Sequence, residues 1–258
     1  MPRTALPPPA SVAEVLRRIT AEPGRPRLTW YGPDGERVEL SGHVLDNWVA
    51  KTANLLVEEF DAGPGHTVLL DLPAHWRTVV WAFAGWRCGA TVLLPGPNDS
   101  GAAGATDGSA EHAPADVVVS TDPARYPTAS TVVAVSLPAL ARRFEGALPA
   151  GAIDAATSVM TYGDRLGWVP ETDAARPALV SGASTTGFGT LLTTAQRRGE
   201  HWSALPRVAV DLSRPGRSVA DTLLDVLGCL AADGSAVLVD RAGELDPLVA
   251  MEHGTDRA

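Results

Sequence analysis

The stretch Thr67-Val68-Leu69-Leu70-Asp71-Leu72, then residues 75–88, then Gly89-Ala90-Thr91-Val92-Leu93-Leu94-Pro95, decides the fold. The first run is apolar at successive positions, as a strand buried on both faces must be. The middle run is long enough for three helical turns, with Val79, Val80, Phe83, Arg87 and Cys88 recurring at helical spacing. Gly89 stands where a helix closes on a residue that tolerates the left-handed conformation. The last run is a second buried strand. Strand, helix and strand in about thirty residues make a βαβ unit, whose crossover is expected to be right-handed. The class this predicts is α/β, with a layered, largely parallel sheet flanked by helices.

Working outward, Ser11-Val12-Ala13-Glu14 is a capping box, so a helix is predicted to start after Ser11 and run to about Ala21. Leu28-Thr29-Trp30-Tyr31 and residues 36–40 are strand-like around a Gly32-Pro33-Asp34-Gly35 turn. In residues 42–59, Val44, Leu45, Trp48, Val49, Thr52, Leu55 and Leu56 form one stripe with a period near 3.6. Strands are predicted at 116–120, 131–135 and 177–181, and a short helix at 137–144. Further strands are expected at 207–212 and 236–239, around a helix capped by Ser218 and reaching Ala232. Residues 96–115 are rich in Gly, Ala, Ser, Asp and Asn, and are expected to be mobile. The chain reads as a single domain over 1–258, with tails at 1–10 and 247–258, the latter expected to hold a short helix before it frays.

A resemblance arises at Trp86-Arg87-Cys88-Gly89-Ala90-Thr91-Val92-Leu93-Leu94-Pro95. This segment resembles the helix, small-Gly-Ala, strand, Pro signature in the N-terminal domain of AMP-forming adenylating enzymes. These are the acyl-CoA synthetases, peptide-synthetase adenylation domains and luciferases. The family's order of a Leu-Thr-Tyr strand, a long amphipathic helix and a Gly-x-Gly-Asp turn is similar to Leu28-Thr29-Trp30, residues 42–59 and Gly63-Pro64-Gly65-His66. The resemblance spans roughly residues 11 to 245. In the family an adenine motif, a ribose-binding Asp and a mobile domain with a catalytic lysine come later. No such motif lies before Ala258, so the expectation is a short stand-alone relative without the parts that perform adenylation.

The resemblance also implies a site. The family wraps the ATP phosphates in a Ser/Thr/Gly-rich loop with a Thr-Thr-Gly core that ends in Pro-Lys-Gly. Small residues let backbone N–H groups converge on the anion, and a lysine adds charge. Ser181, Gly182, Ser184, Thr185, Thr186 and Gly187 match that core by type and by place, as a degenerate phosphate loop for ATP or AMP. The Gly between Ser and Thr-Thr is absent, and Phe188-Gly189-Thr190 stands where Pro-Lys-Gly is expected. The other reading of this stretch is a turn whose small residues serve geometry alone. No catalytic residue is assigned. Lys51 is the only lysine, at the edge of a helix stripe, where a snorkelling role is expected. Asp71 ends the central strand, where open α/β sheets place ligands, though helix capping is the role expected of it. His75 and Trp76 read as helix N-terminal residues. Trp30, Trp48, Trp81 and Trp86 read as core.

A net charge of −9 argues against a nucleic-acid face, and no apolar run approaches a membrane span. His66, His201 and His253 have no partner at metal spacing. No Gly-x-Ser-x-Gly elbow and no Gly-Lys-Ser/Thr loop is present. Cys88 and Cys229 fall in apolar helical patterns and read as buried thiols of a cytoplasmic protein. Two functions are open at this level. One is an inactive module that binds a nucleotide, an acyl group or a partner protein. The other is an acyl-activating subunit completed by a partner chain.

Overall fold

The computed structural model describes residues 7–96, 115–127, 129, 131–167, 169, 171–241, 243–252, 254 and 256–258. The mobile segment expected at 96–115 therefore lies almost wholly outside the described residues, as does His253.

Helix α1, Val12–Ile19, opens where the capping box places it: Ser11 Oγ accepts the Glu14 amide at 3.2 Å. Glu14 answers by accepting the Ala10 amide at 2.9 Å. β1 (Pro26–Tyr31) and β2 (Arg37–Ser41) form an antiparallel pair, and α2 follows over Gly42–Phe60. The central βαβ unit comes next, as β3 (Thr67–Asp71), α3 (Trp76–Cys88) and β4 (Thr91–Leu94). Gly89 closes α3 at φ 86°, the left-handed conformation that a side chain would disfavour. β5 (Val117–Ser120), β6 (Val132–Ala134), β7 (Ile153–Asp154) and α4 (Ala155–Ser158) lead to β8 (Pro177–Ser181) and β9 (Ser184–Gly187). The chain ends in α5 (Phe188–Arg198), β10 (Arg207–Asp211), α6 (Val219–Ala231), β11 (Ser235–Val239), α7 (Leu245–Met251) and β12 (Asp256–Arg257).

These elements form two compact units. One contains the seven-stranded sheet, ordered β7-β6-β5-β3-β4-β8-β9. Every neighbouring pair in it is parallel except β8–β9. The strands predicted from Thr67, Thr91, Asp116, Thr131 and Ala178 thus share one largely parallel sheet, with α3 packed on β3 and β4. Twelve of the thirteen α3 residues are buried, which explains its weak polar face. Trp86 also ties this helix to the sheet, its indole N–H donating to the Ala178 carbonyl at 2.8 Å. Trp81 and Trp86 lie in the core, as expected, while Trp48 is half-buried and Val44 is exposed.

The other unit contains the five-stranded sheet, ordered β12-β10-β11-β1-β2, parallel except for β1–β2. Trp30 is buried here. Gly228 of α6 passes so close to α5 that a Cβ would lie 2.3 Å from the Ala195 carbonyl oxygen. Residues 247–258, read from sequence as a short helix and a frayed tail, hold most of α7 and the strand β12, paired to β10 at Val208 and Ala209. Glu252 accepts hydrogen bonds from Tyr31, Arg37 and Arg207. Burial pushes its carboxyl upward, but those three donors outweigh it and hold the pKa at about 2.

Residues 137–144 are not helical. Leu140, the large apolar residue at the centre of that stretch, is 91% exposed, so a helix there would have little to bury. Cys88 and Cys229 are free and buried, one in each unit, and burial raises their thiols to about 11 and about 12.

Candidate functional site at the carboxyl edge of the seven-stranded sheet

In a parallel sheet the loops that leave the carboxyl ends of the strands line the place where ligands bind. After β3 the chain moves to β4 on one side, and it returns to β5 on the other. The reversal of strand order therefore lies between β3 and β5, which end side by side at Asp71 and Ser120. That position is filled by the chain itself. Asp71 Oδ2 accepts from Ser120 Oγ at 3.0 Å and from the Arg125 guanidinium at 3.0 Å. Ser120 Oγ also accepts the Asp122 amide at 2.9 Å. Asp71 does not cap α3, contrary to the role expected of it.

The cap is His75. Its Nδ1 accepts the Arg77 amide at 3.1 Å, which leaves the ring proton on Nε2. Burial, with the Arg77 charge as a smaller cause, lowers its pKa to about 3. A neutral imidazole at physiological pH is a structural cap here and not a proton shuttle. Arg77 has a role the sequence did not announce. Its Nε donates to the Leu137 carbonyl at 3.1 Å and its terminal nitrogen to the Pro138 carbonyl at 3.0 Å. The guanidinium lies 4.3 Å from the Trp76 ring centroid and 5.5 Å from that of Trp48. Those contacts hold residues 137–139 against the amino end of α3, and they use the charge inside the protein.

Of the predicted phosphate-loop residues, Ser181, Gly182 and Ser184 lie at this same edge, whereas β9 carries Gly187 back to face Pro177 at the amino end of β8. Ser181 ends β8 beside Leu94 of β4, and faces Ser184 across a turn made of Gly182 and Ala183. Gly182 has φ 55°, as such a tight turn demands. Ser184, Thr185, Thr186 and Gly187 are not a loop; they form β9, with Thr185 opposite Val180 and Thr186 opposite Leu179. Past Gly187 the Phe188 and Gly189 amides donate to the Arg176 and Ala174 carbonyls, both at 2.9 Å. The antiparallel ladder with β8 takes up the backbone groups on one side of β9, the edge strand of this sheet, and sets them in an extended geometry in place of a curled cradle. The exposed Ser184 and Thr185 hydroxyls remain as donors and acceptors. Lys51 does not approach as a charge: its Nζ donates to the Tyr162 carbonyl at 2.6 Å, and Asn54 nearby donates to the Gly163 and Arg165 carbonyls. Among the described residues no group of three or more His, Cys, Asp or Glu side chains could hold a metal ion.

This chain is 38% identical over 223 residues to a TIGR03089 family protein of Mycobacterium tuberculosis, covering 86% of this chain and 85% of that one. The chain belongs to the TIGR03089 family. No family model matches it. Among solved structures it is similar to an acyl-CoA synthetase from Brucella canis, with a TM-score of 0.73 and 17% identity over 96% of this chain. It is also similar to the amide bond synthetase McbA from Marinactinospora thermotolerans, with a TM-score of 0.61, 16% identity and 95% coverage. The TIGR03089 chain spans 47% and 48% of those two structures, about half their length. It has the fold of that half of the adenylate-forming enzymes, as its sequence motifs implied. Among the described residues no helix is long and apolar enough to cross a membrane.

Proposed function

We propose that this chain is an AMP-dependent synthetase-like protein that does not adenylate by itself and acts as a ligand-binding or regulatory module. The observation that carries this reading is the closure of residues 181–187 into a hairpin with a two-residue turn and no lysine beside it. Adenylation needs the leaving pyrophosphate stabilised by convergent donors and charge. Losing one such contact costs about 3–4 kcal/mol of transition-state stabilisation, and in this reading the amide cradle and the loop lysine are lost together. The Asp71–Ser120–Arg125 set, which fills the reversal point of strand order, supports the same reading. The ligand in this proposal is a nucleotide or an acyl group, met by the Ser184 and Thr185 hydroxyls, and the regulated target is a partner protein. Two buried free thiols support a reducing, cytoplasmic setting.

The test is ATP–pyrophosphate exchange by the purified chain with fatty, aryl and amino acids, beside melting temperatures with ATP, AMP and CoA. Exchange at background, with a melting shift from one of the ligands, is the expected result. Robust exchange that disappears in Thr186→Ala would overturn the proposal and make the hairpin a working phosphate site. Exchange that appears only when a second protein is added would make the chain an acyl-activating subunit.

A further inference from the structure

Between β6 and β7 the seven-stranded unit carries the largely exposed stretch Leu140-Ala141-Arg142-Arg143-Phe144-Glu145-Gly146-Ala147-Leu148. Read outward from Phe144, its two halves answer each other. Arg143 and Glu145 flank Phe144 with opposite charges. Ala141 matches Ala147, and Leu140 matches Leu148.

Three observations single out this stretch. Its apolar ends face water, Leu140 at 91% exposed and Leu148 at 42%. Its charges are uncommitted: Arg142, Arg143 and Glu145 are exposed and form no ion pair among the described residues. Its backbone is held in place although it is neither helix nor strand. Arg77 donates to the Leu137 and Pro138 carbonyls just before it. Ser136 Oγ donates to the Arg143 carbonyl at 3.2 Å, and Asp154 Oδ2 accepts the Phe144 amide at 2.8 Å. A surface ordered before contact loses little conformational freedom on binding.

We infer that residues 140–148 are a self-complementary interface through which two copies of this chain associate, about a two-fold axis beside Phe144. Such an axis sets residue i of one copy against residue j of the other, and j against i. Centred on Phe144, it brings Arg143 of each copy to Glu145 of the other, and Leu140 to Leu148. Both apolar ends then leave water, and each of these charges gains a partner of opposite sign. Arg142 falls opposite Gly146, where no side chain or charge opposes it. A uniformly acidic or basic partner would match only one of the two charge signs, which is why a second copy fits better. The stretch contains no residue of the 181–187 hairpin, so the inference stands or falls apart from the function proposed above.

Sedimentation equilibrium of the full chain, over about 1 µM to 1 mM, should show a reversible monomer–dimer equilibrium of the weak kind that a small interface gives. Leu140→Asp, Arg143→Glu and Glu145→Arg should each weaken association about tenfold or more. All three side chains are exposed, so the circular dichroism should stay unchanged. The two charge variants, mixed in equal amounts, should pair with each other, because every contact between positions 143 and 145 then joins unlike charges. A chain that stays monomeric over that range, a dimer indifferent to the three substitutions, or a mixture that associates no better than its components would each overturn the inference.

Discussion

Arg77 and Arg27 are both buried guanidinium groups that donate to backbone carbonyls, one in each unit. Arg77 is capped on both sides of its chemistry, with carbonyls on its nitrogens and tryptophan rings beside its plane. Arg27 is paired with Asp233 but keeps one donor unmatched. The same residue type is therefore matched at the carboxyl edge of one sheet and left with a spare donor at the amino edge of the other.

Arg27→Ala should give the largest effect. It removes the inner partner of Asp233, which keeps Arg25 and water, and leaves two carbonyls without a charged donor, so urea unfolding should show a loss of about 3 kcal/mol. A loss under 1 kcal/mol would mean that water replaces the guanidinium freely. Arg77→Ala should cost about 2–3 kcal/mol, because carbonyl bonds from a charged donor and the ring contacts disappear together. Tryptophan emission from Trp48 and Trp76 should shift to the red in that variant. An unshifted spectrum would contradict the stacking.

His75 sharpens the comparison through pH. Its folded pKa of about 3 lies below the ordinary value of about 6.5, so below pH 6.5 the unfolded chain takes up a proton that the folded chain refuses. Stability should be full above pH 6.5 and fall between there and pH 3, by at most about 1.4 kcal/mol per pH unit from this group. His75→Asn keeps a capping side chain and should flatten that part of the profile. An unchanged slope in the variant would assign the loss to other groups.

Much of this was legible beforehand, for reasons that differ by residue. The β3–α3–β4 unit could be read because burial on both faces leaves continuous apolar runs, and Gly89 marks its turn with a residue that few others can replace. Ser11 and Glu14 identified a helix start through local bonds alone. The hairpin at Ser184 to Gly187 was hidden because Ser, Thr and Gly serve turns and strands alike, and only the pairing with β8 chooses between them. Nothing along the chain distinguishes Arg77 or Arg27 from any other arginine, since their partners lie about sixty and two hundred residues away. Leu205, at φ 56°, carries no glycine-like signal for its left-handed backbone. The smallest expected effect tests that residue: Leu205→Gly should change stability by less than about 1 kcal/mol, toward higher melting temperature, since relief of strain is offset by a more flexible unfolded chain. A drop of several degrees would show that the leucine side chain holds its surroundings together.

The two thiols have a practical consequence. Each unit carries one cysteine with no measurable exposure, and each sulfur is too basic to react from within the folded protein. Alkylation must wait for the surrounding helix to open, so the modification rate at Cys88 times the opening of one unit and the rate at Cys229 times that of the other. Followed by mass spectrometry of the two peptides, a single untagged sample would show whether the units breathe together or separately, and a ligand bound to either one would slow only its own clock.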